Sequence, residues 1–137
     1  MGQQQLLLII LGVIIVGIAV AVGITMFQDN AISANRDAVT NDLVQLAAKA
    51  QQHFRRPTSL GGGGNSYATL TADATGMGLL VTTAFSDNDN GTLTIKTAGT
   101  ATTVVFQGVG KTALPDGSFP TVTCTVGPAT FATVKVN

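Results

Sequence analysis

Apolar side chains run from Leu6 to Phe27 with Thr25 as the only polar one, a stretch of 22 residues. As a helix this run is about 33 Å long, enough to cross a bilayer core of about 30 Å. The pattern then changes without a break. From Gln28 to Arg55 there is no Gly or Pro. Apolar residues recur at Ile32, Val39, Leu43, Leu46, Ala47, Ala50 and Phe54, mostly three or four apart. Asp29, Arg36, Asp37, Asn41, Asp42, Gln45, Lys49 and Gln52 fill the remaining faces. Basic residues gather at the end, where the helix dipole favours them, and Pro57 stops the helix. The pattern predicts one helix from about Gly2 to Arg55, apolar all round at first and then striped.

Beyond Pro57 the period changes. Gly61–Gly64 reads as a flexible connection with neither helix nor strand. Tyr67–Leu80 is ambiguous, with Leu70, Met77, Leu79 and Leu80 expected to pack partly against the helix. Four strands follow: Gly91–Thr97, Ala101–Gln107, Phe119–Val126 and Thr130–Val136. Their short connections favour an antiparallel meander. The fold class is therefore α+β, a long N-terminal helix on a small antiparallel sheet of about four strands. The chain divides into an apolar half-helix (1–28), an amphipathic half-helix (29–56), a Gly-rich connecting region (57–90) and a sheet (91–137).

Composition narrows the chemistry. Charged residues are 10% of 137 and sum to zero, which argues against a nucleic-acid partner. The single Cys124 excludes an internal disulfide, and its alternation with Val122 and Val126 places it on a buried strand face. The single His53, at the end of the long helix, reads as a surface or capping residue. No Ser/His/Asp constellation with a nucleophile elbow is present, so no enzymatic activity and no cofactor are expected. Asp87-Asn88-Asp89-Asn90-Gly91 resembles a calcium loop, with Asp87 and Asp89 as its weak candidate ligands. It lacks the distant Glu of that pattern and reads first as a polar turn.

The start, Met1-Gly2-Gln3-Gln4-Gln5 followed by Leu6-Leu7-Leu8-Ile9-Ile10-Leu11-Gly12, resembles the N-terminal helix of a type IV pilin. The likeness is strong over residues 1 to about 60 and architectural beyond. It implies a structural filament subunit that supports adhesion, motility or DNA uptake. Such a subunit is stored in the cytoplasmic membrane, handed to a pilus assembly machinery and polymerised with copies of itself into an extracellular fibre. It also implies Met1 as the processed, N-methylated first residue, with a start at Gln3 as the alternative. Gln3, Gln4, Gln5, Leu6, Gly12, Gly17, Gly23 and Phe27 are then the expected assembly residues. Two departures stand out: Gln5 where bacterial members usually carry Glu, and no Pro before Pro57. A pseudopilin of type II secretion, an archaeal adhesion pilin and a membrane-anchored binding domain remain alternatives.

Gln5 cannot neutralise an N-terminal ammonium, but its amide oxygen can accept a hydrogen bond from one. Gln5→Leu is therefore expected to lower fibre yield and Gln5→Glu to preserve it, counted at equal subunit expression.

Overall fold

The computed structural model describes residues 2–137. Helix α1 runs unbroken over Gly2–Arg55, 54 residues and about 80 Å. The sheet is an antiparallel meander in the order β1 (Gly91–Thr97), β2 (Val104–Gly110), β3 (Thr121–Val126) and β4 (Phe131–Lys135). Two short helices, α2 (Ala74–Gly78) and α3 (Thr83–Ser86), lie in the connecting region beside β1. A long apolar helix packed on a small antiparallel sheet is the architecture that the resemblance implies.

The striped half of α1 lies on the inner face of the sheet. Ile32, Val39, Leu43, Leu46, Ala47 and Ala50 are buried, and Phe54 packs on the core from its edge. Opposite them, Leu93, Ile95, Val104, Phe106, Val122, Cys124 and Val126 point inward by strand alternation. Gly108 sits in the middle of β2, paired with Leu93 on one side and Val122 on the other. A Cβ there would stand 2.4 Å from Val39 Cγ1 and 3.0 Å from Leu93 Cδ2. The missing side chain is the space that α1 occupies.

That close approach explains a shift in β2. The strand was expected over Ala101–Gln107 with a loop from Gly108, because glycine reads as a turn signal. It lies instead at Val104–Gly110. Ala101–Thr103 belong to a turn whose amides at Thr102 and Thr103 donate to Thr100 Oγ1. β3 begins at Thr121 rather than Phe119, and β4 spans Phe131–Lys135 within the expected range. β4 is exposed along its length. Arg36 Nη2 donates to the Asn137 carbonyl at 2.5 Å, and Lys135 meets Asp37 at 3.5 Å, so polar contacts fasten this edge to α1.

The glycine run is not a flexible connection. After a single 3₁₀ turn at Thr58–Leu60 it folds back over the end of α1. Gly63 donates to the His53 carbonyl (2.8 Å), Gly64 to Arg56 (3.0 Å) and Asn65 to Phe54 (2.7 Å). These are carbonyls that a helix end leaves without partners. A Cβ on Gly63 would lie 2.0 Å from the Ser66 carbonyl oxygen. His53, expected at the surface, is buried under this cap. Its Nε2 lies 2.9 Å from Thr69 Oγ1. Leu70 and Met77 are buried and Leu80 half-buried, but Leu79 is 49% exposed and does not join the core.

Gly63→Ala is expected to lower unfolding stability by about 1–3 kcal/mol, the usual range for a forced clash. Denaturant unfolding of the full chain in detergent, followed by circular dichroism, measures it. An unchanged midpoint would contradict the folded-back cap.

Candidate assembly helix

The first half of α1 extends away from the globular part. Its most apolar 18-residue window has a mean hydropathy of 3.2 and no buried residue. The large apolar side chains from Leu6 to Phe27 are 52–78% exposed. Burying one such side chain fully stabilises by about 1.5–3 kcal/mol, so covering the whole set is worth on the order of tens of kcal/mol. This segment is long and apolar enough to cross a membrane. Its one polar side chain is satisfied internally: Thr25 Oγ1 donates to the Val22 carbonyl at 2.8 Å. An apolar surrounding would therefore meet no unpaired group there.

Gln3, Gln4, Gln5 and Leu6 occupy the first turns of α1 with exposed side chains. Met1, the expected processing position, lies outside the described residues. Phe27 is 78% exposed at the lower border of the globular part. Gly12, Gly17 and Gly23 have nothing within 4 Å of where a Cβ would stand, so no contact within the subunit requires them. At about 100° per residue, Gln5, Gly12, Ala19 and Gly23 fall within roughly 40° of one another on the helix. Gly17 and Ala21 lie on a different side. The lane that begins at Gln5 is longer than any run of small residues four apart. The helical period alone reveals it.

The polar turn at 87–90 faces inward. Asp42 Oδ2 accepts from Asn88 Nδ2 and Asn90 Nδ2, both at 3.0 Å, and Asn35 Nδ2 donates to the Asn90 carbonyl at 2.7 Å. Asn88 Oδ1 takes the amides of Asn90 and Gly91. Asp87 turns outward to Lys111 at 3.1 Å, which holds its carboxyl below the usual range. Asp89 is exposed. The loop thus docks on α1 through amides, and its two candidate carboxylates do not converge. No cluster of three metal-ligating side chains occurs among the described residues.

An open cleft of about 780 Å³ separates α2 and α3 from β1, with Met77, Leu79, Leu93 and Ile95 in its walls. Its one acidic group, Asp73, is committed as the cap of α2. Oδ1 accepts from the Gly76 amide at 2.9 Å and the Thr71 hydroxyl at 2.6 Å. Cys124 lies in the core, where burial pushes its thiol up to about 11. Comparison with protein families, curated proteins and solved structures finds no match to this chain.

His53 makes the helix end sensitive to pH. Burial first, and then the Arg56 charge, lower its pKa from the ordinary 6.5. Above about 6.5 the ring is neutral in both folded and unfolded chains, and its contribution to stability is complete. As pH falls below that value the unfolded chain binds the proton first, so stability declines until the folded ring also titrates. Thermal unfolding is expected at a lower temperature at pH 5 than at pH 7.5. His53→Asn should flatten that difference; an unaltered slope would assign it to other groups.

Proposed function

We propose that this chain is the structural subunit of a filament of the type IV pilus kind. One observation carries the reading. An apolar, charge-free half-helix is continuous with a half-helix that is locked into a small globular part. A plain anchor needs only the first of these. A rigid rod through both halves transmits the packing of the apolar halves directly to the positions of the globular parts.

In this reading the subunit waits in the cytoplasmic membrane with Leu6–Phe27 across it. Assembly machinery then moves it into a bundle of like helices. Bilayer and bundle interior are both apolar, so the helix exchanges one dry environment for another and the hydrophobic cost of transfer is small. Gly12, Ala19 and Gly23, on the same side of the helix as Gln5, let a neighbouring helix come close at those points. On the sheet's outer face Thr92, Thr94, Thr121, Thr123 and Thr125 surround Val105, Gln107 and Val109, a neutral surface rich in hydroxyls and suited to the outside of a fibre. The role is structural rather than catalytic, and the fibre would serve adhesion, motility or DNA uptake.

The test compares the full chain with one lacking residues 1–28. Cells making the full chain should yield fibres in sheared surface material under negative-stain microscopy. The shortened chain should be soluble and unpolymerised, because its helix keeps only a covered stripe. Polymer from the shortened chain, or none from the full chain alongside a stable membrane-bound monomer, would refute the filament reading. Short assemblies confined beneath the cell surface would identify the pseudopilin variant instead.

A further inference from the structure

Resting on the filament reading, we infer that globular parts of successive copies stack head to tail: Leu60 of one copy enters a groove at the lower end of the next, and opposite charges flank the contact. The upper end carries the knob. Leu60, at the tip of the 3₁₀ turn that follows α1, is 68% exposed, with Arg55 and Arg56 just before the turn. Lone exposed leucines are common and mean little by themselves. Here the other end of the same body carries the matching hollow.

A groove of about 380 Å³ opens between the start of the striped half of α1 and the loop after β2. Ala31, Ile32, Ala113, Leu114 and Pro115 give it apolar walls. Asp29 follows Gln28 at its helical side, and Asp116 follows Pro115 at its loop side. Neither aspartate has an ion-pair partner among the described residues, and neither do Arg55 and Arg56. Arg55 and Arg56 at the upper end and Asp29 and Asp116 at the lower end are thus open to ion pairing between copies; Asp116 Oδ1 also accepts from the Ser118 amide at 2.9 Å and the Ser118 hydroxyl at 2.7 Å.

The lengths agree. From the groove, at residues 28–32, to Arg55 is about 25 residues, or about 38 Å along α1. The apolar half, residues 2–28, spans about 40 Å. A second copy shifted by one globular length and displaced sideways by a helix diameter therefore sets its lower end on the first copy's upper end, while its apolar half packs on the apolar halves of other copies at intermediate heights. Knob and groove lie at opposite ends, so the contact is heterologous. Repeated by a shift along the axis it propagates instead of closing.

Two measurements on the full chain test this. Arg55→Asp with Arg56→Asp sets like charges against Asp29 and Asp116, and should cut polymer yield by about ten-fold or more at equal membrane content. Adding Asp29→Arg and Asp116→Arg should restore most of it. Separately, the pair Leu60→Cys and Ala113→Cys should give a ladder of disulfide-linked oligomers on mild oxidation of assembled material, and each single variant should give none. The buried Cys124 does not compete. Wild-type polymer with full yield from the reversed arginines, or with no ladder from the double-cysteine chain, would overturn the stacking and leave the filament reading intact. Absence of polymer from the unaltered chain would overturn both.

Discussion

Everything in this molecule depends on one unbroken helix that must satisfy two environments. From Leu6 to Phe27 it has no polar face, so water is a poor surrounding on every side. From Ile32 to Phe54 it has one apolar stripe, which the sheet covers. Neither Gly nor Pro interrupts the passage from one regime to the other between Gln28 and Arg55. The globular part is therefore not tethered to the apolar half but rigidly continuous with it.

The covering of the stripe is set by a small residue in the sheet. Gly108 lets Val39 and Leu43 sit close against β2, which seals the core with few aromatic residues. Farther along, Tyr67 closes the upper end. Its ring lies 4.8 Å from that of Phe54, and its hydroxyl donates to the Gly127 carbonyl at 2.8 Å. The connecting region thus links the helix end to the β3–β4 turn. With the folded-back glycines and the Asn88–Asp42 contact, it turns a long excursion into a second anchor for α1.

Rigidity at both ends of the striped half has a mechanical consequence. If apolar halves pack together, any axial shift between neighbours is imposed on their globular parts without slack. Surface charge can then act as a register mark. Exposed ion pairs add little stability on their own, but a misplaced like charge at a defined contact is selectively unfavourable.

Much of this was legible along the chain. The buried stripe, the α+β class and the inward face of Val122, Cys124 and Val126 follow from residue period, the end of α1 from Pro57 and the order of the meander from short connections. Period is a local property, fixed by 3.6 residues per helical turn and two per strand repeat. What escaped is what depends on neighbours distant in the chain. Gly108 signals a turn locally but serves a strand, because α1 needs the space above it. Gly61–Gly64 signals flexibility but is held by carbonyls that only a helix end leaves free. His53 looks exposed on the helix until the glycine cap and Thr69 cover it. Asn88 and Asn90 look like solvated turn residues until Asp42 is brought beneath them. In each case a side chain's own preference was overruled by packing or hydrogen bonding from a segment whose position only the assembled fold decides.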